Sequence, residues 1–121
     1  MGNTTSGFAS PAQGYEEQNI DLNRELIKNP PATIFVRLDS ADMENLGLSR
    51  GTILVVDRSI IPKSCNIVML RHEGRFLCRR YIKDKGKVSF NNGKHSFFPI
   101  ADETEIIGTV TASVKIYDNA D

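Results

Sequence analysis

The side chains that could take part in a reaction are concentrated in residues 37–48, RLDSADMENLGL, between two strand-like segments. Ser40 is a nucleophile only where a neighbouring base takes its proton. Asp39, Asp42 and Glu44 would supply acid and base groups only as a closely held pair. No GxSxG-like context surrounds Ser40, and isolated acidic side chains in a polar connection are usually solvated. These residues alone therefore do not predict catalysis.

Histidine and cysteine do not form a pattern that predicts a metal site. His72 ends a strand-like segment and His95 lies in a polar loop, so both are expected to be surface residues. Cys65 and Cys78 have no CxxC spacing and no histidine cluster around them, which is typical of reduced thiols in a cytoplasmic protein. We expect no bound metal and no cofactor.

The composition favours a globular protein that binds other proteins. A chain of 121 residues with 40% hydrophobic residues suffices for one core. Fifteen basic and fifteen acidic side chains cancel to a formal charge of zero, whereas direct binding to the DNA backbone needs clustered positive charge. Any contact with DNA is therefore expected to be indirect. No apolar run approaches the length of a membrane span.

The N-terminal part of the chain is predicted to contain an arm followed by a short helix. Residues 1–14 are rich in small polar residues and are predicted to be a flexible arm. Residues 15–121 are predicted to be a single domain. Asp21 is predicted to cap a short helix, LNRELIKN, which ends before Pro30. The spacing of its apolar residues predicts one half-buried face, made of Leu22, Leu26 and Ile27.

The rest of the chain has the two-residue period of strands. The strand-like segments are TIFVRL, TILVVD, NIVMLRH, RFLCRRYIK, KVSF and IIGTVTASVKIYD. HEGR and KDKG are predicted hairpin turns. In the last segment, alternation places two sets of residues on opposite faces. The apolar face has Ile106, Gly108, Val110, Ala112, Val114 and Ile116, and the polar face has Thr109, Thr111, Ser113 and Lys115. NNGKHSFFPIADETE is predicted to be an irregular loop pinned to the core by Phe97 and Phe98. Strands without long helices between them predict a bent antiparallel or mixed sheet.

The order of these segments resembles the family of UmuD and LexA. GFASPAQGYEEQNIDLNRELIKNPPATIFVR is similar to the start of UmuD′, the processed form of UmuD, and the similarity continues through ILVVD, NIVML, FFPI and IIGTVTASVKI. It covers essentially the whole chain. The resemblance implies a mainly β fold of the LexA or signal-peptidase type (β-clip-type), with strongly bent mixed or antiparallel sheets, one short N-terminal helix and a flexible N-terminal arm.

The resemblance also implies that a catalytic pair has been replaced. The family cleaves itself with a serine that precedes a methionine and a lysine on a later strand, whose lowered pKa makes it a base. In ungapped register, the serine position is Asp42, next to Met43, and the lysine position is Arg79. An arginine is not a general base near neutral pH. We therefore expect a non-catalytic protein with an Asp42–Arg79 salt bridge. Ser40 would be the nucleophile only after a register shift that breaks the matches on both sides.

By this resemblance the chain is a homodimeric accessory subunit of an error-prone polymerase. Its expected partners are a UmuC-type Y-family polymerase, as in polymerase V, and the RecA filament, in SOS mutagenesis and damage tolerance. Ser6 and Gly7 occupy the position of the family's cleavage site, so a phage or plasmid type made directly in its active form is expected. Phe8, Tyr15 and Asn23 are candidate contacts with partners.

Two alternatives remain open from the sequence. The chain could be a decoy that forms heterodimers with a host UmuD or UmuD′ and modulates it. It could also be a residual peptidase that acts through Asp42 or Ser40.

Overall fold

The computed structural model describes residues 19–117 as a sheet of seven strands with short helical turns. Within these residues, helix α1 spans Leu22–Leu26, and 3-10 turns span Pro30–Ala32 and Glu44–Leu46. The strands are β1 Thr33–Arg37, β2 Ile53–Asp57, β3 Ile67–His72, β4 Arg75–Asp84, β5 Lys87–Asn91, β6 Phe97–Pro99 and β7 Thr104–Val114. The arm predicted for residues 1–14 lies outside the described residues. Within that described range, no helix has the length and apolarity needed to span a membrane.

Helix α1 begins where the sequence predicts, and the predicted apolar face is buried only in part. Asp21 caps the helix, since its Oδ1 accepts hydrogen bonds from the N–H groups of Asn23 and Arg24 at 3.1 and 3.4 Å. The helix stops at Leu26 because Ile27 is already extended. Leu22 is 64% exposed and no helical residue is buried. The prediction of a half-buried face is therefore correct for Leu26 and Ile27, which are both partly buried, and wrong for Leu22, because so short a helix presents little of its surface to a core.

The strands form one antiparallel sheet in the order β1-β2-β7-β3-β4-β5-β6, which confirms the mainly β fold class. Strand β7 lies between β2 and β3 and joins the two halves of the sheet. The predicted hairpin turns are confirmed by positive φ angles, 52° and 78° at Glu73 and Gly74, and 52° and 77° at Lys85 and Gly86. Two consecutive positive φ angles are typical of tight hairpin turns whose twist matches the strands.

The strict alternation predicted for β7 is interrupted. Its register shifts against β2 between Val55 and Val56, and against β3 between Met69 and Leu70. Thr109, predicted on the polar face, is therefore buried at 4% exposure and donates its hydroxyl to the carbonyl of Ile60 at 2.9 Å. Bulges of this kind bend a strand, so β7 can pair with β2 and with β3 in the two halves of a curved sheet.

The segment predicted to be an irregular loop contains the short edge strand β6, which pairs with β5. Of the two phenylalanines expected to pin it, only Phe98 packs against the core, in contact with Phe90 at 5.5 Å between ring centroids. Phe97 is 72% exposed. Adjacent strand residues point to opposite faces, so both rings could not be buried once the segment became a strand.

The buried residues form two clusters on the sheet. One contains Leu38, Met43, Leu54, Val56 and Cys78. The other contains Val68, Leu70, Tyr81 and Phe90. The first cluster supports the segment that follows β1, where the sequence places the candidate chemistry.

Candidate functional site

An open cleft of about 230 Å³ lies between the segment that follows β1 and strand β4. It is lined by residues 36–40, 42–43 and 76–79 and by Leu54 and Met69. Both positions that the sequence singles out, Asp42 and Arg79, therefore line the same cleft. Arg79, and not Arg80, is among the residues that line it.

Met43 fixes the loop that presents Asp42. Its side chain is 1% exposed, and its carbonyl accepts hydrogen bonds from the N–H groups of Leu46 and Leu48 at 3.0 and 3.1 Å. Gly47 ends the 3-10 turn at φ +86°, a conformation that side-chain-bearing residues rarely adopt. Asp42, directly before this buried anchor, is held at the surface of the cleft with 52% of its side chain exposed.

Arg79 is the buried charge of the cleft, with 8% of its side chain exposed. Nη1 donates to the carbonyl of Cys78 at 2.8 Å and Nε donates to Ser96 Oγ at 3.1 Å. Nη2 lies 3.8 Å from Asp42 Oδ2, an ion-pair contact that is longer than a hydrogen bond. Burial lowers the pKa of Arg79 from its usual value, and the charge of Asp42 opposes that change. Arginine remains protonated in proteins, so it is a cation and a donor here.

Asn92 connects the loop before β6 to this ion pair. Its side chain is buried, Nδ2 donates to the carbonyl of Asp42 at 2.9 Å, and Oδ1 accepts from the N–H groups of residues 94–96 at 3.0–3.1 Å. The same loop carries Ser96, which holds Arg79. The sequence predicts only an irregular loop here, and neither role follows from that prediction. The available signal was an asparagine before a glycine, which indicates local capping but not a partner fifty residues away.

The other nucleophiles in the cleft have no activating base. Burial raises the pKa of the Cys78 thiol to about 12, so it stays protonated near neutral pH and is a poor nucleophile. Ser40 Oγ accepts a 3.4 Å hydrogen bond from the N–H of Asp42. Within residues 19–117, no basic nitrogen hydrogen-bonds this hydroxyl.

The remaining predicted residues are distributed over the chain. Ser6, Gly7, Phe8 and Tyr15 lie outside the described residues. Asn23 is exposed on α1, so its contact with a partner stays a prediction.

Of the two histidines expected at the surface, His95 is exposed. His72 is not, since 16% of its side chain is accessible and its ring stacks on Phe98. The surface prediction for His72 is wrong because the segment expected to be a loop folds over it as a strand.

Comparisons with known proteins agree on a single family. The sequence matches the family described as Peptidase S24-like over residues 1–111. It is 35% identical over 112 residues to Protein SamA of Salmonella typhimurium, an alignment that covers 90% of this chain and 78% of SamA. It is 40% identical over 77 residues to Protein ImpA of Escherichia coli and 37% identical over 78 residues to Protein MucA of Escherichia coli. Each of these two alignments covers 64% of this chain and 53% of the relative.

Proposed function

Because this chain belongs to the peptidase S24-like family, within which its sequence resembles UmuD and LexA, we propose that it is a non-catalytic, UmuD′-like accessory subunit of an error-prone translesion polymerase. Its partners in this proposal are a second copy of itself, a UmuC-type Y-family polymerase and the RecA filament. The observation that carries the proposal is the contact between Asp42 and Arg79, the two positions that the sequence resemblance aligns with the family's serine and lysine.

The chemistry of the cleft supports a role without catalysis. A single carboxylate such as Asp42 is a weak nucleophile toward an amide, and a protonated guanidinium cannot take a proton from a serine hydroxyl or a water. Arg79 also hydrogen-bonds Cys78 and Ser96 and forms the ion pair with Asp42. It therefore does not act as a base on Ser40. In this proposal, an ion pair stands where the resemblance places the family's reactive pair.

Charge and surface composition support protein partners. The formal net charge is zero, which gives little attraction to a phosphate backbone. Several large apolar side chains are exposed on the strands, among them Phe35 at 56%, Phe76 at 62% and Phe97 at 72%. Aromatic side chains are enriched at protein interfaces, so these residues are candidates for contacts in the dimer or with the polymerase.

Copurification with a UmuC-type polymerase tests the binding part of the proposal. We expect the tagged chain to retain the polymerase through purification and gel filtration. A Phe35→Ser/Phe76→Ser variant removes exposed apolar surface without entering the core, and a Lys83→Ser variant of an exposed polar residue is the control. A folded wild-type chain that elutes without the polymerase at micromolar concentrations would contradict the proposal.

Incubation with activated RecA filaments tests the non-catalytic part. We expect the chain to keep its full mass over hours, with a self-cleaving UmuD as the positive control in the same reaction. A discrete cleavage product that disappears in Asp42→Ala or Ser40→Ala would instead establish the residual peptidase.

A further inference from the structure

An imidazole and two carboxylates converge at one end of the sheet, away from the ion pair in the cleft. His72 ends β3, Glu73 lies in the β3–β4 turn, and Glu103 lies just before β7. Their candidate ligand atoms all lie within 4.8 Å of one another. The backbone also joins the two segments, since the N–H of Glu73 donates to the carbonyl of Glu103 at 3.3 Å. The cluster is therefore built by the fold and not only by flexible side chains.

His72 is held in an orientation that suits a metal ligand. Its Nδ1 lies 2.8 Å from Thr104 Oγ1, and its ring stacks on Phe98 at 4.4 Å with an interplanar angle of 27°. Thr104 Oγ1 is itself fixed by the N–H of Ala101 at 3.1 Å. With Nδ1 engaged, Nε2 is the nitrogen left for a metal ion, and it lies 4.0 Å from Glu73 Oε2. A hydrogen bond at one ring nitrogen that fixes the other is the usual outer contact of a ligating histidine.

The two carboxylates lack a permanent cation. Within the part of the chain that the structure describes, neither Glu73 nor Glu103 forms an ion pair with lysine or arginine. The nearby Arg71 is paired with Glu105 instead. Two carboxylates are thus brought together with only the imidazole between them.

We propose that His72, Glu73 and Glu103 form a binding site for a divalent metal ion of the zinc class. One imidazole and two carboxylates are a ligand set that zinc accepts, with water in the fourth position, whereas calcium and magnesium take oxygen ligands alone. Zinc bond lengths require ligand atoms about 3.4 Å apart. The side chain of Glu73 is 70% exposed, so it is free to close that distance. The bound ion would tie the β3–β4 turn to the segment before β7.

The sequence did not indicate this site because its parts are distant along the chain. Glu103 follows His72 by a whole hairpin and the β6 segment, and no spacing rule for metal sites joins them. The expectation of no metal followed from His72 and His95 lacking a second nearby ligand in sequence.

Zinc titration by calorimetry and by thermal unfolding tests the site. All proteins carry Cys65→Ser, because Cys65 is an exposed thiol that would bind zinc on its own. We expect one equivalent of Zn²⁺ to bind and to raise the melting temperature. The double variant Glu73→Gln/Glu103→Gln keeps the shape of both exposed side chains. It is expected to lose the zinc-dependent rise in melting temperature. Thr104→Val is expected to weaken zinc binding about tenfold, as loss of an outer contact does.

His95→Gln is the matched control, since His95 is the other histidine and lies in a different loop. It should bind zinc as the parent does. Cobalt substitution gives an independent readout, because the visible spectrum of bound Co²⁺ reports its coordination number. A parent protein that shows no zinc-dependent shift would overturn the proposal. So would a shift of equal size in the parent and in Glu73→Gln/Glu103→Gln.

Discussion

Arg79 Nη2 lies 3.8 Å from Asp42 Oδ2, and a single loop holds both residues through Ser96 and Asn92. Arg79 is buried while Asp42 is half exposed. The guanidinium of Arg79 is therefore held by hydrogen bonds to neutral groups. The carboxylate of Asp42 contacts it from the exposed side of the cleft at a longer distance. This arrangement places a pair of opposite charges on the lining of the cleft.

The first prediction concerns the energy of this pair. A fully buried pair loses about 3–5 kcal/mol when one partner is removed, but water screens Asp42. We therefore expect a coupling energy of about 0.5–1 kcal/mol from the cycle of Asp42→Ala, Arg79→Ala and the double variant. Urea unfolding measures each free energy. The exposed pair Arg71–Glu105 is the control and should couple less. A coupling of zero for Asp42 and Arg79 would refute the ion pair.

The second prediction concerns Asn92. Asn92→Ala removes a buried amide that serves Asp42 and three backbone N–H groups. We expect a loss of about 2–3 kcal/mol in the free energy of unfolding, because buried groups lose their partners. Asn91→Ala is the control, since Asn91 accepts one hydrogen bond, from Gly93, and should cost about 1 kcal/mol. Equal losses for the two variants would mean that Asn92 does not support the site.

The third prediction concerns alkaline pH. Burial raises the pKa of Cys78 from 9.0 to about 12 in the folded protein. The unfolded chain then releases this proton first, so the stabilising contribution is complete below pH 9 and is lost as the pH rises toward 12. Unfolding free energies measured across pH 8–11 should fall more steeply for the wild type than for Cys78→Ala. The exposed Cys65→Ala variant should follow the wild type, and parallel curves for all three proteins would contradict the prediction.

The fourth prediction concerns the close approach of β7 to β2. A Cβ at Gly108 would lie 2.7 Å from Val56 Cγ1 and 3.0 Å from the carbonyl oxygen of Asp57. Gly108→Ala should therefore destabilise the protein by about 1–3 kcal/mol, as overpacking does. Ser113→Ala, at an exposed position of the same strand, should change stability by less than about 0.5 kcal/mol. Thermal unfolding of both variants measures the difference, and a neutral Gly108→Ala would show that the strands have room to separate.

The sequence predicted the features that depend on local chemistry. Strands β1 to β5 follow from runs of branched and aromatic residues, and the turns at Gly74 and Gly86 follow from glycine's tolerance of positive φ. The register of Asp42 and Arg79 came from the family resemblance, since no local pattern joins a loop residue to a strand residue.

The features that the sequence missed all depend on distant partners. Phe97 and Phe98 gave no sign that they would become an edge strand, because that strand exists only through its pairing with β5. The same strand covers His72, which therefore lost its expected exposure. The bulges in β7 arise from its pairing with two strands at once, and alternation within β7 carries no information about either partner.

Damage-induced mutagenesis in bacteria that lack UmuD but retain UmuC tests the central claim most directly. The chain is expressed at a level verified by immunoblot, with empty vector and UmuD′ as the two references. The account predicts that the wild-type chain raises mutation frequency after ultraviolet irradiation toward the UmuD′ level, with no shortened product on the blot. A chain that accumulates but leaves mutation at the vector level, or that suppresses mutation in cells that still have UmuD, would contradict the subunit role, and the second result would establish the decoy.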